Sequence, residues 1–418
     1  MNLPRMYRVH QKFNGTKVDD IRETVRAELN TLSLTAVKPG HRVAITAGSR
    51  GIANIAQILQ AIVEFFRALG VEPYIFPAMG SHGGATAAGQ VAMLAQLGVN
   101  ESFVKAPILS SMEVEKISRI EDGVPVFIDK HAYSADHIVV VNRIKCHTKF
   151  KSSIESGLMK MMAIGMGKQR GAELYHKAAI QYTFPKIIVD AGREVIRQAP
   201  ILCGLGIVEN GYGETAKIEA LKPEDIEGKE KELLKLSKKM IAKLPFNEID
   251  LLIVDEMGKD ISGIGMDPNI TGRNRDLLGS FPNPAHVKRL FVRDLTDKSK
   301  GNAIGIGLAD ITTQRLVDKI DQKATYINSI TGISLEKAAI PMYVKNDREA
   351  IEIALGSVGL ISPNKSKIVR IKNTLELEIV EVSEAYAKEL RKRTDLEIVD
   401  EPSSILFNNA NNLMPLKI

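Results

Sequence analysis

A repeated alternation of strand-length and helix-length apolar patterns restricts this chain to an α/β fold. Residues 42–46 (RVAIT) form a short apolar run that ends in Ala-Gly-Ser-Arg-Gly. Over residues 52–69, Ile55, Ile58, Leu59, Ile62, Phe65, Phe66 and Leu69 recur at helical spacing, and Gly70 marks the stop. Residues 72–77 (EPYIFP) read as the next strand and residues 79–85 (MGSHGGA) as a loop. Thr86 is placed to cap a helix that runs to Leu97 before Gly98. Residues 137–144 are a further strand. This rhythm predicts mostly parallel sheets flanked by helices. Ligand groups in such sheets gather in the loops beyond the carboxyl ends of the strands.

A chain of 418 residues exceeds one compact core, so two domains are expected. A mixed-charge helix ends near Lys243, and Leu244-Pro245-Phe246 breaks it before a strand at 249–254. The boundary is therefore expected near 245. Residues 1–245 would form an N-terminal α/β domain and residues 246–418 a second one, with the active site in the cleft between them. In the second, strand signals lie near 251, 290, 304 and 368, and helix signals near 310, 334 and 348. The Asn-rich tail, EPSSILFNNANNLMPLKI, is expected to fray or to pack back on the first domain.

Hydrophobic content of 44% and charged content of 25% are ordinary for a soluble globular protein. No apolar run approaches the roughly 20 residues of a membrane span. The opening MNLPRMYRVHQKF has no apolar core, so no secretory signal is expected. Two cysteines, Cys146 and Cys203, fit a reducing cytoplasm and no cysteine-rich metal site. The net charge of +6 is mild for the length. KEKELLKLSKKMIAK, residues 229–243, mixes signs and reads as a solvated helix face. With no zinc-finger spacing, no aromatic-interleaved basic patch and no tryptophan, nucleic acid is not an expected partner. An anionic small molecule suits the balance better.

The stretch from Arg143 to His176, RIKCHTKFKSSIESGLMKMMAIGMGKQRGAELYH, carries the densest candidate chemistry. Lys160 stands in an otherwise apolar segment, where a lysine either snorkels to the surface or is held desolvated for a covalent or binding role. His147 precedes it, and His176 follows it by sixteen residues. GMGK, residues 165–168, is no phosphate loop, because Met162 and Gln169 stand where glycine and Ser or Thr are required. GLGIVENGYG and GIGMDPN likewise lack a nucleotide fingerprint. Arg50, in AGSRGIAN, places a guanidinium at a helix N-terminus, a corner that suits a carboxylate or phosphate. His82, between Ser81 and Gly83-Gly84, lies where backbone and ligand approach closely. His10, His41, His131, His137 and His286 read as ordinary.

Arg50, His82 in GSHGGAT, His147, Lys160 and His176 together resemble the pattern of the nickel-dependent lactate racemase family. The resemblance covers residues 40–180 and, beyond them, the two-domain layout. It implies that Arg50 binds a substrate carboxylate and that His82 and His147 are the catalytic acid/base pair. It further implies that Lys160 is covalently joined to a nickel-pincer nucleotide (a pyridinium thioamide/thiocarboxylate mononucleotide) and that His176 ligates the nickel, with Lys160 part of the same metal-cofactor site. The family's G-G-x-K is SGLMK here, and His147 lies about three residues further upstream of the lysine than in the lactate racemases. For the family's second-domain substrate lysine the best counterpart is Arg273 in MDPNITGRNRD, with Lys259 as the fallback. The segment KCHTKFKSSIESGLMKMMAIGMGK also looks like the K-x-H…K-N-x-x-G pattern of a family associated with iron–sulfur proteins, but two cysteines cannot supply the four thiolates of a cluster.

The resemblance implies a cytoplasmic isomerase, a racemase or epimerase of a small anionic 2-hydroxy acid, whose partners include cofactor-biosynthesis proteins. Two readings of other kinds are a cofactor-independent isomerase or dehydratase using His82 and His147 alone, and a non-catalytic binding protein on the same scaffold.

Overall fold

The computed structural model describes residues 1–120, 123–275 and 285–416. The chain divides into two compact units, residues 14–241 and residues 1–13 with 242–418.

The unit of residues 14–241 is built on a five-stranded sheet. Its strands are β2 (Arg42–Ala47), β3 (Glu72–Pro77), β6 (His137–Arg143), β7 (Ile201–Glu209) and β8 (Thr215–Leu221), in the order β3-β2-β6-β7-β8. The first four are parallel and β8 is antiparallel to β7. Ile138, Val139, Val140 and Val141 of β6 are all buried, the continuous apolar run of a strand covered on both faces. The helix Ile55–Ala68 buries Ile55, Ile58, Leu59, Ile62, Val63 and Phe66. It starts three residues later than the periodicity predicts, because Asn54 takes a left-handed φ of 60°. Gly70 ends it at φ +77°, donating to the Arg67 carbonyl. Thr86 caps the helix Ala87–Gln96 as expected, accepting from the Gly89 N–H at 3.1 Å. A two-stranded antiparallel ribbon of β4 (Val114–Arg119) and β5 (Pro125–Asp129) lies between β3 and β6 in sequence.

The order of this sheet fixes where a site can form. From β2 the chain moves to β3 on one side; from β6 it moves to β7 on the other. The loops after β2 and β6 therefore diverge above adjacent strand ends, a topological switch point. Arg50 lies in the first of these loops and His147 in the second.

The other unit carries an eight-stranded sheet in the order β12-β11-β10-β9-β13-β14-β1-β15. These are β1 (Arg5–Gln11), β9 (Glu248–Met257), β10 (His286–Leu295), β11 (Ile311–Thr313), β12 (Met342–Val344), β13 (Ile368–Ile371), β14 (Ile379–Ser383) and β15 (Leu396–Ser404). From β12 to β13 the pairing is parallel; from β13 to β15 it is antiparallel.

Two expectations about this unit change. The first thirteen residues do not belong with the N-terminal domain: β1 pairs with β14 and β15, and Met6, Tyr7 and Val9 are buried there. The tail, as far as residue 416, packs on this same unit. Leu413 and Leu416 are buried, and the Leu413 and Met414 carbonyls accept from Arg293 and Arg370. The signal near 304 is no strand but a buried turn, in which Gly305 takes φ +99° before the 3₁₀ turn Ile306–Leu308. No described helix is long and apolar enough to cross a membrane.

Candidate active site

Arg50, His82, His147, Lys160 and His176 all lie in the unit of residues 14–241, and four local devices set them there.

The first is the loop after β2. A Cβ at Gly48 would stand 3.2 Å from the Met161 methyl, so the loop lies directly against the Lys160 segment. Arg50 is exposed at its tip. Partial desolvation and then the charge of Arg143 hold its guanidinium below the ordinary value. Arg143 is paired with Glu209 at the end of β7, and Glu209 also accepts from the Ala53 N–H at 2.8 Å. An arginine remains charged through such a shift.

The second is the loop after β3. Gly83 has φ +67°, and a Cβ there would lie 2.6 Å from the Gly89 carbonyl carbon. Glycine is required because the loop folds onto the start of the helix Ala87–Gln96. A short hydrogen bond joins Ser49 Oγ to His82 Nδ1 and ties this loop to that of Arg50. Gln90, fully buried, donates to the carbonyls of Gly80 (3.0 Å) and His82 (3.3 Å). Lys168, also fully buried, donates to Gln90 Oε1 at 2.6 Å and to the Pro77 carbonyl at 2.7 Å.

The third is the loop after β6. Lys145 and Ser156 exchange backbone hydrogen bonds at 2.9 and 3.2 Å and close it. The buried carboxylate of Glu155 lies inside, accepting from the His147 N–H at 2.6 Å and the Ser152 N–H at 3.2 Å, and pairing with Lys238 at 2.6 Å. His147 Nδ1 accepts from the Lys149 backbone N–H at 3.1 Å. Its ring stacks on Phe150 at 4.2 Å; Phe150 stacks on Phe184 at 5.9 Å; and Phe184 meets the edge of His176 at 4.8 Å.

The fourth carries Lys160. A short helical turn, Leu158–Lys160, continues into a π-helical turn, Met161–Gly165. Such turns are costly in isolation and recur at functional sites. Glu230 accepts from the Met159 N–H at 2.9 Å at the start of this segment. His176 lies in the middle of the helix Lys168–Tyr182.

Electrostatically these groups form one set. Burial, and then Arg50, Lys145 and Lys149, lower the Lys160 amine to about 7. Burial, and then Lys160, Lys149, His176 and Lys145, hold His147 well below its ordinary value. Burial, Lys149 and Lys160 lower His176 to about 3. Both imidazoles are thus neutral at pH 7, and Lys160 is poised between its charged and neutral forms. The arginine and lysines acting on these groups, Arg50, Lys145, Lys149 and Lys160, all carry or share positive charge, which favours an anionic ligand. His176 Nδ1 is buried with no hydrogen-bond partner among the described residues. An orphaned imidazole nitrogen of this kind is the state in which histidine ligates a metal.

The second-domain candidates lie in the other unit. Arg273 grips Asp310 with both terminal nitrogens (3.2 and 2.6 Å) and donates to the Lys288 carbonyl at 2.8 Å. Lys259 donates to the Gly263 carbonyl at 2.7 Å and to Asn328 at 2.8 Å.

Sequence reasoning missed Ser49, Gln90, Glu155, Lys168 and Glu230. The signal for Glu230 was present. It falls with Ile226, Leu233, Ser237 and Met240 on the buried stripe of the helix Ile226–Met240, which is therefore not solvated all round.

Residues 6–183 match the model of the lactate racemase N-terminal domain. No curated protein sequence matches the chain. Among solved structures, the lactate racemase apoprotein from Thermoanaerobacterium thermosaccharolyticum is 14% identical and matches with a TM-score of 0.51, over 86% of this chain and 93% of that one. A protein from Thermotoga maritima is 12% identical, with a TM-score of 0.53 over 85% and 96% of the two chains. At these identities the likeness is one of fold. Residues 6–183 thus carry a domain similar to the lactate racemase N-terminal domain, and the chain as a whole shares its fold with the lactate racemase apoprotein.

Proposed function

We propose that this protein is a racemase or epimerase of a 2-hydroxy acid and works with a nickel-pincer nucleotide attached to Lys160. The reading is carried by one observation: Lys160, lowered to about 7, acts electrostatically on His176, whose buried Nδ1 has no hydrogen-bond partner among the described residues. These residues fit the cofactor. An amine that is partly neutral at pH 7 can form an amide-type bond, and a neutral imidazole suits nickel. Among the described residues no group of three or more His, Cys, Asp or Glu side chains is placed to hold a metal ion. His176 is therefore put forward as one ligand, with the others belonging to the cofactor itself.

When bound, the cofactor supplies a reversible two-electron acceptor for the hydrogen on substrate C2. The chain's own residues do the rest. Arg50 holds the substrate carboxylate, and Lys145 and Lys149 add to the positive field that draws an anion in. His82 and His147 handle the hydroxyl proton as the substrate interconverts with a flat 2-oxo acid. Return of the C2 hydrogen to either face then gives either configuration.

The test is an intact mass and a metal analysis of protein made in a cell that synthesises the pincer cofactor. A mass shift on Lys160, one nickel per chain and interconversion of 2-hydroxy acid stereoisomers are expected. Robust epimerisation by metal-free protein or by Lys160→Ala would sink this reading and leave the acid/base-only isomerase.

A further inference from the structure

The loop that carries His82 is seated on the π-helical turn that follows Lys160. The Gly80 N–H donates to the Gly165 carbonyl at 3.2 Å. A Cβ at Gly165 would lie 2.6 Å from the Ala78 carbonyl oxygen, so the seam has no room for a side chain there. Lys168 fastens this seam. It is the first residue of the helix that carries His176. Its ammonium reaches the Pro77 carbonyl at the end of β3, Gln90 Oε1 and, at 3.4 Å, Asp129 at the end of β5. An ammonium can only donate, so it draws Oε1 of Gln90 to itself and turns the amide NH2 toward the loop. That NH2 donates to the carbonyls of Gly80 and His82.

Stability alone does not call for a lysine here. Its side chain and that of Asp129 are fully buried. Burial pulls the Lys168 amine below its ordinary value and pushes the Asp129 carboxyl up, each partner opposing the other's shift. Apolar side chains of the same volume are often as stabilising as such a buried pair, or more so. The backbone of Lys168 is also left-handed, φ +54°, where a Cβ is strained and glycine is not. Strain and buried charge persist where the surrounding structure holds a site in place.

We infer that Lys168 is a positioning residue of this site: through Gln90 it holds His82 at a fixed distance from the segment that carries Lys160 and His176. The inference rests on the racemase reading and leaves the acid/base roles of His82 and His147 as they stand. Lys168 acts through other residues and moves no proton of the reaction. A proton-transfer group must come within about 2.6–3.2 Å of its partner atom. A misplacement of about 1 Å can cost about 10²-fold in rate. The amide of Gln90 pins two carbonyls that flank Ser81, and the loop carries the His82 ring with it.

Two variants test this. Gln90→Glu keeps an acceptor for Lys168 but removes both N–H bonds to the loop. Lys168→Met combined with Asp129→Asn removes the two buried charges together, so that neither is stranded. In histidine-¹⁵N-labelled protein without cofactor, the ring signals of His82, assigned by their loss in His82→Gln, should shift in both variants, while those of His10 and His286 stay in place. In the cofactor-loaded enzyme both variants should lose about 10–100-fold in kcat, with KM within about threefold of wild type. The adduct mass on Lys160 and circular dichroism check that cofactor and fold are retained. All three substitutions together should cost no more than the worse variant, because Lys168 and Gln90 act through one chain of contacts. Unmoved His82 signals in the folded variants overturn the inference whatever the activity, and so does a kcat within about twofold of wild type. Losses that simply add would show independent structural effects and overturn it as well. If the charge-removing variant does not fold, Gln90→Glu alone decides. A loaded wild type without activity would overturn the racemase reading instead, and the His82 signals would then decide whether Lys168 positions that loop.

Discussion

The carboxylate of Glu230 accepts a hydrogen bond of 2.9 Å from the backbone N–H of Met159, the residue before Lys160. A helix start leaves its first N–H groups without intrahelical partners, and an acidic side chain satisfies them while complementing the helix dipole. Gly157, at the head of that segment, makes room for the same carboxylate: a Cβ there would lie 2.3 Å from Glu230 Oε1. Glu230 and Lys238 lie on one helix, Ile226–Met240. The first anchors the Lys160 segment and the second pairs with Glu155 beneath His147. One helix thereby braces two parts of the site.

Glu230 should make stability depend on pH in an identifiable window. Burial raises its carboxyl to about 7 from an ordinary 4.5. The folded state therefore favours the proton. This stabilisation is complete below about 4.5 and is lost as the pH rises through about 7. Glu230→Gln should flatten thermal melting temperature across pH 5–7 relative to wild type, with a ceiling of ~3 kcal/mol at roughly 1.4 kcal/mol per pH unit. Parallel slopes for the two proteins would exclude the effect. Gly157→Ala should destabilise by about 1–3 kcal/mol at any pH, because the carboxylate must leave its place.

The parallel sheet, the cap at Thr86 and the two strand-end loops holding Arg50 and His82 were legible because each follows from local chemistry. Apolar run, stop glycine and cap residue lie within a few positions of each other. The bracing of the site was not legible. Lys168 and Glu230 act on the backbone of Pro77 and Met159, far away in sequence, and Gln90 and Glu155 act on the backbone of nearby loops whose folding no motif marks. Lys168 sits in GMGK, a segment dismissed as a phosphate loop; it is instead a buried cation 3.4 Å from Asp129. The placement of β1 in the C-terminal unit was hidden for a related reason. RMYRVHQ has an ordinary strand pattern, and pattern does not say which sheet a strand joins.

Lys160 should destabilise the protein while its amine is unmodified. The amine is lowered to about 7 from an ordinary 10.5, so the folded state disfavours its charge. Its contribution is fully favourable above about 10.5 and is lost as the pH falls through about 7. Lys160→Met should raise the melting temperature at pH 6.5 and raise it less at pH 9. Because Lys160 is partly accessible, screening reduces the gain to about 1–3 kcal/mol. Equal gains at both pH values would show that charge is not the cause.

His82→Ala in the loaded enzyme should cost about 10²–10⁴-fold in kcat, the ordinary range for a proton-transfer group. Ser49→Ala, which leaves the imidazole but removes its orienting hydroxyl, should cost less. Circular dichroism checks that both variants are folded. Wild-type turnover by His82→Ala would remove the proton-transfer role altogether.

His176→Ala should separate metal from organic cofactor. The imidazole is held near 3 by burial and by Lys149 and Lys160, so protons compete for it only in strong acid. A histidine at its ordinary value of 6.5 would lose metal affinity as the pH fell below 6.5. His176 should instead retain nickel evenly from pH 5 to 8. Its replacement by alanine should lower nickel content about 10- to 100-fold in affinity while the mass adduct on Lys160 survives. Metal analysis after dialysis at pH 5 and pH 8, with intact mass on the same samples, reads both quantities at once. Nickel retained by His176→Ala would assign the ligand elsewhere. Nickel lost from wild type between pH 7 and 5 would mean that the metal-binding histidine is one with an ordinary proton affinity, which this buried imidazole is not.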